Sequence, residues 1–587
     1  MSLWARVRGW RWYWKLALAA GAFPIVAVLL YVVGRSALYL AAEKDAGLYV
    51  PAGAQAVVRV RDLAAHLDRI DGTYAWRTLR KKILGDAAVR PALNAALADA
   101  GLPTLDDLED ERKATLYSKE NLLRGAGRDA VACLRMGDGP KSTRFCAATR
   151  LRWSDYLLAP LARLVLASQR AGDHTLLRAG KGLWIAFDGA LVLASNDPGL
   201  LEEALRGKGR PPPGERPIEG RIAFEGSRAL IEMRSAVRRL NLLPHVKADT
   251  IRAVRFSADV EEGLLRFDSV LEGAERVHAA AVPPRVLERW APGTATGHLS
   301  LGASIQDLYG WLSRNAAADV NFRQALEFLE RGGFSTLLLP RLDPGLAVLT
   351  GTQEQEGRLF PAFVLYMPTT DPAGAAGALK EVVLKIGGKM GENQFRPRPV
   401  ADTTLMVLQL PGAVGPYADF LQPVWAGVKD GLLFGNNEAF VEAVIHAAAS
   451  GQEPWRERKG YRRLQQRLKD LGFAAAPPLA GGVLMPPALK ASLDGVFERL
   501  AVTFAVTDGP TLRREIDEEL RLQNRQLPEA EVVQLFNERR RQKELEFEEQ
   551  LRRSLRVLDA VRWCAFESAP AADGITLRVV VGFDALN

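Results

Sequence analysis

Cysteine is scarce in this 587-residue chain, which holds only Cys133, Cys146 and Cys564. That is too few for a scaffold built on disulfides. The six histidines, His66, His174, His245, His278, His298 and His446, give no HExxH and no paired metal-ligand spacing. No metal site and no cofactor are expected from them, and His298, in a strand-like segment, reads as a packed histidine. A GxSxG nucleophile turn is missing as well, since Gly302-Ala303-Ser304-Ile305-Gln306 fails at its last position. Ser227, in Glu225-Gly226-Ser227-Arg228, sits where a helix begins and reads as its N-cap. The glycines of Lys385-Ile386-Gly387-Gly388-Lys389-Met390-Gly391 do not make a phosphate loop, because Met390 follows the lysine where Ser or Thr is needed. No catalytic residue is therefore assigned, and the chain reads as a non-enzyme.

Acidic residues are absent from the first 42 positions, which carry Arg6, Arg8, Arg11, Lys15 and Arg35. Those five charges account for most of the net +8, so the rest of the chain is near neutral and has no nucleic-acid footprint. Residues 1–15 combine the basic side chains with Trp4, Trp10, Trp12, Tyr13 and Trp14, as a cytoplasmic membrane interface prefers. Leu16 to Val33 is free of charge, and at 1.5 Å per residue this run spans about 27 Å, near a hydrocarbon thickness of about 30 Å. The expectation is a transmembrane anchor over 16–42, with Arg35 snorkelling outward. The N-terminus would face the cytoplasm, and the bulk would be periplasmic or otherwise extracytoplasmic, on the inner membrane.

What the chain does have is an internal repeat. Pro51-Ala52-Gly53-Ala54 precedes a strand-like run, and Pro292-Gly293-Thr294-Ala295 precedes another (292 − 51 = 241). The segment from Trp184 to Asp197 lines up with that from Trp425 to Glu438 at the same offset (425 − 184 = 241). Self-similarity at a fixed offset sets domain count before any residue-level reading. The expected organisation is a first repeat domain over 43–275, a linker over 276–290 and a second repeat domain over 291–587.

Hairpin signals recur through both copies, interleaved with helical patterns. The fold expected is α+β, with an N-terminal transmembrane helix followed by two tandem homologous domains of antiparallel sheets and packed helices. In the first copy, helices are expected at about 62–83, 87–101, 153–170 and 227–237, with Pro211 to Gly214 as a stiff connector. Ser195-Asn196-Asp197 and Asn436-Asn437-Glu438 each stand between a strand and a helix and read as caps. The final hairpins begin at Ala253 and Ala560, an offset grown to 307 (560 − 253 = 307). The extra length is placed in a charged segment, 511–558, with apolar stripes at Leu512, Ile516, Leu520 and at Phe547, Leu551, Leu555, Leu558. This is read as a helical hairpin in the second copy only, a structural arm or a docking arm for a protein partner.

Cys133 and Cys146 flank the turn signal Gly137-Asp138-Gly139-Pro140 at equal distance, so a hairpin sets them face to face. They are a candidate disulfide in an oxidising compartment, or two packed thiols. Cys564, after Trp563, reads as packed.

The Pro-x-x-Ala opening and the segment Asp188-Gly189-Ala190-Leu191-Val192-Leu193-Ala194-Ser195 resemble bacterial extracytoplasmic proteins of the family called domain of unknown function 3352. The resemblance covers about 50–271 and 291–583. It implies a membrane-anchored envelope protein and supplies no catalytic residues. The functional expectation is an envelope protein that binds or scaffolds without catalysis. The alternatives are an envelope hydrolase with a carboxylate-based site, or a lipid- or peptide-binding module.

Overall fold

The computed structural model describes residues 31–62, 69–79, 129–206, 216–224, 246–276, 286–409, 422–485, 509–554 and 561–584, apart from short gaps inside these ranges, with Arg90, Asn94, Pro487 and Lys490 besides. Most of the expected anchor, almost all of the helix expected over 87–101, the helix expected over 227–237 and the Pro211 to Gly214 connector lie outside these residues. The chain divides into two compact units, residues 1–70 with 93–232 and residues 71–92 with 233–587. The short helix α1 (Tyr74–Leu79) goes with the second.

The first unit holds β1 (Ala56–Arg61), β2 (Asp129–Arg135), β3 (Arg144–Arg150), β4 (Ala167–Ala171), β5 (His174–Arg178), β6 (Trp184–Asp188), β7 (Leu191–Ser195), helix α2 (Pro198–Arg206) and β8 (Ile218–Ala223). The strands pair antiparallel in the order β4-β5-β6-β7-β3-β2-β1-β8. Alternate residues of β2, β3 and β7, among them Val131, Cys133, Cys146, Ala148, Leu191 and Leu193, form one core with Leu200, Leu201 and Ala204 of α2. This is the period of two on strands meeting the helical stripe.

The second unit holds β9 (Val246–Lys247), β10 (Ala253–Glu261), β11 (Leu264–Glu272), β12 (Glu275–Arg276), α3 (Val286–Trp290), β13 (Ala295–Leu301), α4 (Ile305–Ala316), α5 (Val320–Arg331), β14 (Leu346–Gln355), β15 (Arg358–Pro368), α6 (Pro372–Gly387), β16 (Phe395–Val400), β17 (Thr403–Leu408), β18 (Val424–Val428) and β19 (Gly431–Gly435). After these come α7 (Glu438–Ser450), α8 (Pro454–Glu457), α9 (Lys459–Asp470), β20 (Ala480–Leu484), α10 (Gly509–Leu522), α11 (Glu529–Ser554), β21 (Trp563–Ala571) and β22 (Gly574–Gly582). Its large antiparallel sheet runs β10-β11-β22-β21-β20-β13-β14-β15-β19-β18-β17-β16. β9 and β12 make a separate two-stranded ladder.

Strands in the middle of this sheet are covered on both faces. Val424, Ala426 and Val428 pack in one core with Trp290 of α3, Val441 of α7 and Trp455 of α8. Trp425 and Leu432 pack in another with Ala375, Leu379 and Val382 of α6. Two-sided burial explains why β18 and β19 read as continuous apolar runs instead of alternating ones.

Several expectations need correction. The fold is not two equivalent domains behind a transmembrane helix. By compact unit, eight of its twenty sheet strands belong to the first and twelve to the second, because β10 and β11, the last hairpin of the first copy, go with the second unit. There β11 pairs along its whole length with β22, the last strand of the second copy. Backbone pairing at an unfilled strand edge is the reason. Nor does the structure supply the transmembrane helix expected over 16–42: among the described residues, which begin at Tyr31, no helix is long and apolar enough to cross a membrane. Residues 31–41 are helical, but Arg35 does not snorkel. Its guanidinium lies 3.7 Å from the centre of the Tyr156 ring and donates to the Tyr156 carbonyl at 2.6 Å.

The repeat equivalence also shifts. The opening turns agree at 241, since Ala54 N donates to Pro51 O and Ala295 N to Pro292 O. In the next matched hairpin the pairings Asp188↔Leu191 and Val428↔Gly431 set the offset at 240 (431 − 191 = 240), so Trp184 and Trp425 are not equivalent. Glu261↔Leu264 and Ala571↔Gly574 set it at 310 in the final hairpins (574 − 264 = 310), not 307. The helix expected over 153–170 ends earlier, because Ala167–Ala171 is β4, paired with β5. Residues 286–290, assigned to a linker, form α3.

Candidate functional site

The two copies differ at one more place. β8 and β20 occupy matching positions, since β1 Ala56 pairs with Ile222 and β13 Gly297 with Leu484. The offset there is 262 (484 − 222 = 262), against 240 one hairpin earlier. The second copy therefore carries an insertion between α7 and β20, and α8 and α9 occupy it. The rest of the excess, up to 310, is the arm of α10 and α11.

The α8–α9 insertion covers a cavity of about 670 Å³ on one face of the second unit's sheet. The floor is a row across three strands. His298 and Ser300 of β13 stand beside Val483 and Gly481 of β20, and Gly481 stands beside Glu567 of β21. These residues share a face because side chains alternate with a period of two. Gly481 leaves a gap in the row between Ser300 and Glu567. Its neighbour Gly482 faces the other way, where a Cβ would come within 2.9 Å of the Phe566 ring and 2.5 Å of the His298 carbonyl oxygen.

Helix α9 forms the roof. Tyr461, Leu464 and Leu468 are buried, with Leu464 and Leu468 against Val483, Trp563 and Ala565. The spacing of three and four puts them on one stripe. Arg462, Gln465, Gln466 and Lys469 repeat the same spacing one position on, and all four line the cavity.

One end of the cavity is built around Glu288 of α3. It is buried, and its Oε1 accepts from the Tyr461 hydroxyl at 2.6 Å and lies 3.2 Å from the Arg456 guanidinium. Arg456 also pairs with Glu453 at 3.2 Å, and Gln465 donates to the Tyr461 oxygen at 2.8 Å. Burial works against the charge on Arg456, but Glu288 and Glu453 outweigh it, so its pKa is raised. Trp455 stacks on Tyr461 at 4.2 Å and meets His298 edge to face at 5.6 Å, which fixes both rings. At the other end Glu567 accepts from Arg578 at 2.8 Å and from the Ala474 backbone N–H at 2.8 Å.

Two carboxylates thus face one cavity, and each is bound to an arginine. Each carboxylate is already engaged by a guanidinium and by a second donor, so neither is free to face a substrate proton, and the arrangement suits holding a ligand better than acid–base chemistry. Among the described residues no group of three or more His, Cys, Asp or Glu is placed to hold a metal.

Of the residues singled out from sequence, only His298 lies here. Cys133 and Cys146 are register partners across β2 and β3, as the turn implied, and both are buried thiols in the structure. Burial pushes each up to about 12, with Cys133 adding to the effect on Cys146. Asp197 and Asn437 cap α2 and α7 through Leu200 N (2.7 Å) and Phe440 N (2.9 Å). The preceding asparagines do the same task in both copies: Asn196 accepts from Phe145 N and Asn436 from Phe363 N. Ser227 lies outside the described residues. Glu288, Arg456 and Glu567 carry no motif, and the signal that finds them is the extra length between α7 and β20.

No family model matches the chain, and no curated protein matches it. Among solved structures, crystal form III of TP0453 is similar at 8% identity and a TM-score of 0.21, covering 39% of this chain and 80% of that one. Crystal form I of TP0453 gives 10% identity and a TM-score of 0.22, covering 41% and 82%. Likeness at this level carries no argument about fold or function.

Proposed function

We propose that the chain is a binding protein without catalytic activity, and that it takes a small ligand in the cavity beneath α9. The observation that carries this reading is that the cavity exists through an insertion in one copy alone. Features shared by both copies, the caps and the turns, have structural explanations. An element present once, and roofing a cavity of ligand size, calls for a different one. The paired state of Glu288 and Glu567 weighs against the hydrolase alternative.

The test is a thermal-shift screen of small molecules on the intact chain and on a Gln465→Trp variant, in which an indole fills the space under α9. A ligand at a hundred times its Kd adds about 2.7 kcal/mol to stability. Molecules that raise the Tm of the parent and leave that of the variant unmoved support the reading. A screen in which no molecule distinguishes the two proteins contradicts it.

An extracytoplasmic location is part of the proposal and rests on the basic-then-apolar N-terminal sequence. A C-terminal reporter active only outside the cytoplasm checks it, and a cytoplasmic signal would remove it.

A further inference from the structure

Helix α9 offers the cavity a stripe made of hydrogen-bond donors. Arg462, Gln465, Gln466 and Lys469 stand at i, i+3, i+4 and i+7, so they share one face across two turns, about 10 Å. The charges of this stripe are of one sign and meet no carboxylate among the described residues. The Arg462 guanidinium donates to the backbone carbonyl of Glu457, at 2.6 and 3.2 Å, and to no carboxylate among the described residues. Lys469 has no ion-pair partner among them either, whereas its neighbour Arg467 is paired with Asp584 at 3.4 Å. The acids within the cavity are already matched, Glu288 by Arg456 and Glu567 by Arg578. Behind the donors the lining is apolar, with Leu468, Phe473 and Val483.

We propose that the cavity selects a small molecule bearing an anionic oxyacid group on an apolar body, with the acid at Arg462 and Lys469 and the body against Leu468, Phe473 and Val483. This rests on the reading of the cavity as a ligand site and adds the class of ligand. The physical basis is direct. An anion entering here meets two cations that pair with no carboxylate among the described residues, and it displaces no ion pair among them. A cation would meet the same two charges as repulsion. A neutral ligand gains the apolar contacts alone.

The test uses two fluorescent probes with the same rings, 8-anilinonaphthalene-1-sulfonate and the uncharged N-phenyl-1-naphthylamine, titrated into the full chain. The sulfonate is expected to bind at least about tenfold more tightly, the worth of one charge-assisted hydrogen bond. Salt raised from about 50 mM to about 500 mM weakens the sulfonate and leaves the neutral probe unchanged. The R462Q/K469Q variant, two exposed positions on a helix, removes the preference and keeps the neutral probe's affinity. An affinity ratio unchanged in that variant, or a neutral probe that binds as tightly as the sulfonate, overturns the anion selectivity. Gln465→Trp separates this from the parent reading. If it blocks a neutral probe that the sulfonate does not outcompete, the cavity remains a ligand site and the anion class fails. If it leaves both probes bound, the cavity is not the site and both readings fail. Circular dichroism confirms that each variant folds, and Gly481→Val, which fills the floor, serves as a second block.

Discussion

At the scale of the residue, Glu288 sets the cavity's deep end. Its carboxylate lies with a phenol at 2.6 Å and a guanidinium at 3.2 Å. Removing it leaves Arg456, roughly two-thirds buried, without its principal partner. Glu288→Ala is expected to cost about 3 kcal/mol, near the lower end for breaking a buried pair, and Glu288→Gln about 1 kcal/mol, since an amide oxygen still accepts from Tyr461. Urea denaturation of both variants checks the order. Nothing in the local sequence marks Glu288 as special. It stands between Leu287 and Trp290 in a stretch that reads as a linker, and only the fold brings Tyr461, 173 positions away, onto it.

The cysteine pair carries a pH prediction. Each thiol is raised to about 12 from an ordinary value of 9.0, the burial of a thiolate being the main cause. The folded state therefore holds these protons more tightly than the unfolded state. Their contribution is fully present below pH 9 and is lost as pH rises toward 12. Melting curves should show the decline, and a Cys133→Ala/Cys146→Ala variant should show less of it. The native thiols should also resist alkylation at pH 8 and react on unfolding. Rapid native labelling of Cys133 or Cys146 would contradict their burial. Their facing register was legible, because equal spacing from a turn fixes cross-strand partners.

At the scale of the element, the caps were legible and the equivalence between copies was not. Asp197 and Asn437 serve as N-caps because a short polar side chain after a strand reaches the N–H three residues on. Asn437→Ala should cost about 1 kcal/mol, and Asp197→Ala a similar amount, by thermal or denaturant unfolding. Trp184 and Trp425 suggested an offset one residue too long. A one-residue slip reverses the faces of a strand, and two tryptophans of equal identity can sit on opposite faces. Trp425 is fully buried with α6, whereas Trp184 is half-buried.

The arm of α10 and α11 is an element with its own small core. Leu512, Ile516 and Val532 are buried together, and Arg513–Glu529, Lys543–Glu515 and Arg539–Glu519 join the two helices. Ile516→Ala should then loosen the arm without lowering the main transition. Hydrogen exchange would show faster exchange confined to 509–554, and acceleration spread over the sheet would sink the idea of an independent arm.

At the scale of the whole molecule, the duplication shows its geometry in the second unit. β11 and β22 are equivalent strands and pair antiparallel from Leu264↔Gly582 to Glu272↔Gly574. The central pair is Asp268↔Arg578, which are themselves equivalent (578 − 268 = 310) and form an ion pair at 2.9 Å. A pseudo-twofold axis thus passes between two residues that have diverged to opposite charge. In an exact repeat, like charges would meet there. Arg578→Asp should cost about 2 kcal/mol or more, since Arg578 also holds Glu567 at the cavity floor, and Asp268→Arg somewhat less. The exchange D268R/R578D should recover part of the loss, incompletely, because the carboxylate introduced on β22 would face Glu567. A denaturant double-mutant cycle with no coupling would argue against the central pair.

The sequence by itself determined that a repeat exists, the hairpin turns and caps that both copies share, the facing cysteines and the helical arm. These depend on local periodicity, turn chemistry and caps, which neighbouring residues encode. Tertiary structure alone decided that the first copy's last hairpin belongs to the second unit, and that Glu288, His298, Tyr461 and Glu567 meet at one cavity. Strand edges recognise one another through backbone groups that every residue carries, so the chain does not spell out which edge will be filled. The cavity follows from the same cause, since its walls come from strands and helices far apart in sequence, joined only once the sheet has formed.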